Sequence, residues 1–481
     1  MPIPDSIKKH RPVGTEIQEH GGRYYVYKVK AVYDPITKKS RRKSEGCIGQ
    51  IFEDIGYVAN KKKDTSQNIV KEYGATAFLC AQSSDVKNDL LSIFGKDGLR
   101  LYVLAILKLL TNTTQKNMSV AYDRSYISEM LPEVHISKNT LSEFIEKVGL
   151  MRNEVVAFFK KTGPAEGSNI IFDGSSFCSG STHNPYVNYG YNPNYPMKSQ
   201  IRLIYGFNVD SNLPVYFNVI PGNISDKMAF VGCMKESGIK NCTIILDNGF
   251  FSRKDLKYMS DENLSFVLPL AQNISVVKNF DLNKLDKEHN HFTYHKRTIK
   301  YCLVTENYLD GYNVYAYFDK DQRRELISNY YRKNNISEEF LSEKEQELID
   351  EETKYFGITF LVSNGIDGLW KPELIYRQHK KRWNIEEMFD THKNTLGFTM
   401  KYEATGNSQN GWAFVEYLAL MIYMKAEDAL EKNALTKTYT VHDALLRFAA
   451  VVKCKVNNTW ENWNLDSKIK EQLQTLGVEF N

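Results

Sequence analysis

The chain has 481 residues, 42% of them hydrophobic, with 13 Pro against 28 Gly; that length exceeds what one core usually fills, and the composition excludes extensive disorder. The net charge of +4 is too small to establish a polyanionic partner, yet residues 1–63 hold fourteen Lys and Arg against seven Asp and Glu, so the basic excess sits at the N-terminus. Seven cysteines, scattered without CxxC spacing, argue against a disulfide framework or a zinc site.

Residues 23–32 (RYYVYKVKAV) alternate apolar with basic side chains, and 44–52 (SEGCIGQIF) supply a partner strand across a turn at 35–42. A basic β-hairpin is expected there, either a solvated sheet face or a ribbon that contacts phosphates. The run Lys61–Lys63 reads as a solvated linker. Residues 65–160 change to helical periodicity. Leu101–Leu110 is strongly apolar, and 139–161 forms an amphipathic helix behind a Ser137 or Asn139 cap.

From residue 168 the pattern becomes one of short apolar strands. NIIFD (169–173) and CTIILD (242–247) each end in an aspartate; between them RLIYGFNV (202–209) and PVYFNVI (214–220) flank the turn DSNL as a hairpin. A helix over 227–236 precedes the second aspartate strand, and a helix over 253–261 leads to the strand SFVLPL (265–270). This order, β, β-hairpin, α, β, α, β, is that of a ribonuclease H-like core, though it also fits other α/β folds. Residues 272–355 interrupt it with an alternating Tyr, Val and Thr stretch followed by a charged helix, which reads as a mostly β insertion. The core resumes with GITFLVSN (357–364) and a helix beginning near Lys371.

The expected fold class is therefore α/β, a ribonuclease H-like core interrupted by a mostly β insertion, behind an N-terminal β-hairpin and helical region. The division is 1–64 for the basic hairpin, 65–165 for a helical, DNA-binding region, and 166–271 for the first part of the core. The insertion covers 272–355, the second part of the core 356–430, and a C-terminal helical region 431–481. The first thirty residues lack an apolar signal segment, and the most apolar helix, Trp412–Met424, carries Glu416 and is too short to span a bilayer. A soluble cytoplasmic protein with no membrane partner is expected.

The stretch 379–398, HKKRWNIEEMFDTHKNTLGF, places Arg382, Glu386 and Lys393 four and then seven residues apart, on one face of a helix. Taken alone this is a charged, solvated face, worth a few tenths of a kcal/mol per ion pair. A carboxylate flanked by two cations also suits a group that holds a metal ion while its neighbours hold phosphate. Cleavage or transfer at a phosphodiester uses divalent cations held by converging carboxylates; Asp173 and Asp247 on strands and Glu386 on a helix would supply three hard oxygen ligands from rigid elements.

The segments IIFDGSS, TIILDNGFF and RWNIEEMFDTHK resemble the three blocks of the DDE transposases of bacterial insertion sequences, in the branch named for its Tyr, Arg, Glu, Lys signature. Arg382, Glu386 and Lys393 have the signature spacing; His379 stands in the tyrosine slot, with Tyr376 one turn earlier. PGNISD (221–226) also resembles a segment between the two aspartates of such enzymes. The resemblance implies that Asp173, Asp247 and Glu386 are catalytic and hold two Mg²⁺ ions, with Mn²⁺ as a substitute. It implies that Arg382, Lys393 and His379 contact DNA phosphates. Trp383 is either a core or interface aromatic or a stacking platform for an unpaired base. Glu387 is the competing carboxylate, disfavoured by the spacing.

The partners implied are double-stranded DNA, both transposon ends and target, and a second copy of the chain in the DNA complex, in a bacterial cytoplasm with nucleoid association when bound. A non-catalytic DNA-binding descendant and a stand-alone nuclease of the same fold are the alternatives. His289, His291 and His295 read as a hairpin tip, and Asp210 and Asp226 as turn and cap residues.

Overall fold

The computed structural model describes residues 3–34, 39–60, 69–190, 198–250, 252–287, 290–309, 311–336, 342–365, 370–397, 403–463 and 466–480. The Lys61–Lys63 run, His289, and residues 35–38 of the expected 35–42 turn lie outside the described residues, while 39–42 are strand rather than turn. The chain divides into two compact units, one of Met1–Ile69 with Cys454–Glu461, the other of Val70–Lys453 with Asn462–Asn481.

The first unit carries a four-stranded antiparallel sheet in sequential order, β1 (Thr15–His20), β2 (Arg23–Asp34), β3 (Lys39–Phe52) and β4 (Gly56–Ala59). The expected hairpin is its centre: Tyr24 opposes Ile51, and Val26 opposes Gly49. Its inner face buries Ile17, Val26 and Ile51 against Ile7. Lys28 and Lys30 are exposed although they share the parity of buried Val26, because register shifts at Val26/Tyr27 and Lys28/Val29 interrupt the alternation.

In the second unit the short strand β5 (Ile69–Glu72) precedes a run of helices over 74–161. The amphipathic stretch at 139–161 is two helices, Lys138–Leu150 and Arg152–Lys161, interrupted at Met151 where ψ is 46°. The Ser137 hydroxyl accepts the Thr140 N–H at 3.4 Å and caps the first. The centre of the unit is the helix Gly406–Lys432, which is buried from Gly411 through Met424. Glycines let its neighbour approach. A Cβ on Gly149 would lie 1.9 Å from the Asn407 carbonyl oxygen, and one on Gly411 would lie 2.2 Å from that of Ile145. Among the described residues no helix is long and apolar enough to cross a membrane.

Nine strands form the large sheet: β6 (Asn169–Cys178), β7 (Gln200–Asn208), β8 (Leu213–Pro221), β9 (Thr243–Ile245), β10 (Ser265–Pro269), β11 (His291–Tyr294), β12 (Arg297–Tyr308), β13 (Tyr312–Asp319) and β14 (Ile358–Ser363). Their order is β11-β12-β13-β14-β10-β9-β6-β7-β8. Strands β6, β9 and β10 are parallel, and every other pairing is antiparallel. Strand β7 is buried at eight of nine positions, as a central strand covered on both faces should be. The β7–β8 turn is set by the Asn208 side chain, which accepts the N–H groups of Asp210 and Ser211.

The 272–355 segment differs from its expected form in two ways. Its strands β11–β13 do not make a sheet of their own; β14 pairs with β13 on one edge and β10 on the other, so the sheet runs on unbroken. It also holds two long helices, Lys320–Asn334 and Glu343–Thr353, and only the second was expected from the charge pattern. Within 431–481, helices Val441–Phe448 and Ser467–Thr475 flank the strands Val452–Val456 and Thr459–Trp463, which the helical expectation missed. All seven cysteines are free thiols.

Candidate active site

The parallel register aligns two aspartates. Ile171 opposes Ile245 across β6 and β9; Asp173 and Asp247 each lie two residues further along, at the level where β9 has ended. Asp173 is not at a strand end, contrary to the reading of NIIFD. Its strand continues to Cys178 because β7 pairs with it throughout, from Ile170 opposite Asn208 to Cys178 opposite Gln200. The Asp173 Oδ1 accepts the Gly174 N–H at 2.8 Å, and the Asp247 Oδ1 accepts the Asn248 N–H at 2.8 Å. Burial pushes the Asp173 carboxyl up to about 7; the Asp247 charge adds to the rise and the Arg382 guanidinium opposes it.

The segment that carries Glu386 is not one continuous α-helix. Helix Pro372–Lys380 ends, Lys381 and Arg382 form a turn, a second helix spans Trp383–Asp390, and the chain winds on as a π-helical turn over Thr391–Thr395. Such wide turns are rare and frequently accompany functional sites. Arg382 joins the carboxylates: one guanidinium nitrogen is 2.8 Å from Glu386 Oε1, the other 3.8 Å from Asp247 Oδ2. Glu387 is exposed and faces the charge of Glu427 instead. Lys393, in the π turn, donates to the Ser176 carbonyl of β6 at 3.1 Å and lies 4.6 Å over the Phe177 ring. Burial lowers its pKa.

The remaining cations and aromatics separate into free and committed groups. Trp383 is 64% exposed, which removes the core-aromatic alternative. His379 has Nδ1 sealed from solvent without a hydrogen-bond partner. Burial holds its pKa down to about 3, with Lys380 and Arg382 adding to the fall, so the ring is neutral. Tyr376 is a core residue of the aromatic cluster with Phe292 and Tyr317, and does not substitute for His379 at the site. Arg377 is fastened to Glu373 and to the Thr293 carbonyl at 2.9 Å, and Lys381 pairs with Asp210 at 3.4 Å. The Arg377–Thr293 bond, with the Tyr317 hydroxyl donating to the Pro372 carbonyl at 2.7 Å, ties the helix before Glu386 to β11 and β13. His291 lies on β11, and His295 sits at the tip between β11 and β12.

Two groups near the aspartates escaped the sequence reading. Asp226 is not the cap of its helix, Asp226–Ser237; Ser225 is, and its hydroxyl accepts the Met228 N–H. Asp226 instead forms an ion pair with Arg202 of β7 and touches Gly174. The available signal was Arg202 itself, since a charged residue within a buried strand such as QIRLIYGFN calls for a partner.

Among the described residues no three His, Cys, Asp or Glu side chains already close on one point as a metal cage. The donor set nevertheless fits a hard divalent cation, because all three candidates are carboxylates. A cationic guanidinium already spans Glu386 and Asp247.

Residues 164–422 match the family described as "Transposase DDE domain". No curated protein matches the chain. Among solved structures, the chain is similar to the piggyBac transposase synaptic complex with hairpin DNA, determined by cryo-electron microscopy. The identity is 10% and the TM-score 0.43, over 85% of this chain and 88% of that one.

Proposed function

This chain belongs to the DDE-domain transposase family, and on that premise we propose that Asp173, Asp247 and Glu386 are its catalytic carboxylates and hold two Mg²⁺ ions. The reading extends to a ribonuclease H-like core and to the bacterial insertion-sequence branch with the Tyr, Arg, Glu, Lys signature. One observation carries it. Arg382 bonds Glu386 and reaches Asp247, while strand register sets Asp173 level with Asp247, so one cation spans two of the carboxylates and the third stands beside one of them.

Bound there, the metal ions supply the Lewis-acid chemistry of phosphodiester displacement, stabilising both the attacking and the leaving oxygen. The side chains do the rest. Asp173, held near neutrality by burial, loses its proton when the site is loaded. Arg382 leaves Glu386 and turns its guanidinium to a DNA phosphate, for which its planar fork is suited. Lys393, anchored on the Ser176 carbonyl, is a second phosphate contact, and neutral His379 is a weaker one. Trp383 offers its exposed indole face to an unpaired base.

In the reaction, water displaces the DNA 3′-oxygen from phosphorus to leave a 3′-hydroxyl. That hydroxyl then attacks a target phosphodiester and expels a target 3′-oxygen. One P–O bond forms for each one broken, so no energy source and no covalent protein intermediate are needed. The substrates are double-stranded DNA, first the terminal inverted repeats of the element and then the target, and a homodimer pairs the two ends. An oligonucleotide carrying the element end, incubated with Mg²⁺ and either wild type or Glu386→Gln, tests the assignment. Wild type should cut and the variant should not; equal cleavage by both removes it.

A further inference from the structure

The Arg202–Asp226 pair stands behind Asp173 without a task in the catalytic assignment. Arg202 opposes Ser176 across β7 and β6. Residues opposed in an antiparallel ladder share a face and successive residues alternate, so Gly174, Ser176 and Arg202 stand on the face of the sheet opposite to Asp173. The helix Asp226–Ser237 covers that face, with Phe230 packed edge-on against Phe172 at 5.8 Å.

From its first residue, Asp226 accepts Arg202 Nε at 3.0 Å and a second guanidinium nitrogen on its other oxygen. Both side chains are less than one-fifth exposed. The carboxylate presses on the strand so closely that a Cβ on Gly174 would lie 2.1 Å from Asp226 Oδ1. Gly174 is also the residue whose N–H holds Asp173 Oδ1 at 2.8 Å. A continuous line of contact therefore runs from Arg202 through Asp226 and Gly174 to the Asp173 carboxylate.

Stability alone is a poor account of this pair. Buried ion pairs are often replaceable by apolar residues at no cost to the fold, and this one stands behind the residue that orients a candidate ligand. We propose that Arg202 and Asp226 form a brace that positions Asp173 through Gly174 and thereby sets the affinity of the site for divalent cations. The inference rests on the reading of Asp173 as a metal ligand. Asp226 and Arg202 act as positioning residues.

Two charge-conserving variants displace the brace from opposite sides. Gly174→Ala places a methyl group where the carboxylate lies, and Asp226→Glu lengthens the carboxylate by one methylene towards the strand. The assay is calorimetric titration of the full chain with Mn²⁺, without DNA, alongside the metal-free thermal midpoint as a check of folding. Both variants should bind Mn²⁺ about tenfold or more weakly than wild type, the range seen when outer partners of metal ligands are altered. Should one variant not fold, the other decides.

Asp173→Asn runs in parallel and separates the two failures. If Asp173→Asn loses Mn²⁺ binding while the folded brace variants stay within about twofold of wild type, the brace is wrong and the carboxylate reading stands. If Asp173→Asn binds as wild type does, or wild type binds no Mn²⁺, both are wrong.

Discussion

Asp173 provides a test of the site that requires no DNA. Its carboxyl, ordinarily near 3.8, is pushed up to about 7 by burial, with Asp247 contributing. The folded state therefore holds a proton that the unfolded state releases near pH 4. Stability from this group is intact below about pH 4, falls as pH rises towards 7, and is level beyond. Three pKa units at ~1.4 kcal/mol each set an upper limit of ~4 kcal/mol. Unfolding entropy of ~2.1 cal/mol/K per residue over roughly 400 residues makes 1 kcal/mol worth about 1 °C. Asp173→Asn, which keeps the shape and removes the charge, should therefore raise the metal-free thermal midpoint by about 3–5 °C at pH 8 and leave it unchanged at pH 4. Adding Mg²⁺ should raise the wild-type midpoint and not that of the variant. Scanning calorimetry at the two pH values, with and without Mg²⁺, measures this. Parallel pH curves for the two proteins, or a variant less stable at pH 8, would refute the reasoning.

Three further outcomes follow from particular contacts. Arg382→Met removes the cation that spans Glu386 and Asp247; Mn²⁺ should bind more tightly in the absence of DNA while strand cleavage is lost, as titration and gel assay would show. Trp383→Ala should leave the thermal midpoint unchanged, since the side chain is exposed. It should reduce cleavage about tenfold, from ~1–3 kcal/mol of base stacking, with loss of the fluorescence change of a 2-aminopurine at the element end. Gly411→Ala would set a methyl group 2.2 Å from the Ile145 carbonyl oxygen and should cost ~1–3 kcal/mol by chemical denaturation.

The parts of the fold legible in the sequence are those whose pattern is local. The helix at 253–261 falls at Arg253–Asp261 as expected, and the 202–220 hairpin is displaced by no more than two residues at any end, because apolar runs and an Asx turn fix it. What was not legible depends on partners far along the chain. Strand β6 runs past Asp173 because β7 pairs with it, and no feature of GSSFC announces that. The helix around Glu386 breaks at 381–382, after a helix held to the insertion at Pro372 and Arg377, and widens at 391–395 where Lys393 is held by β6. Spacing in the sequence related Arg382, Glu386 and Lys393 as if on a straight helix, and the structure relates them through a turn and a π-helical step. The Arg202–Asp226 pair joins residues 24 apart on a strand and a helix, and alternation along β7 gave only the hint of a buried charge.

A crystal soaked in Mn²⁺ and measured at the manganese absorption edge would test the three-carboxylate site most directly. Anomalous density should be bounded by the carboxylates of Asp173, Asp247 and Glu386, with the Arg382 guanidinium withdrawn from Glu386. Density elsewhere, or none while Arg382 remains bonded to Glu386 as it is now at 2.8 Å, would contradict it.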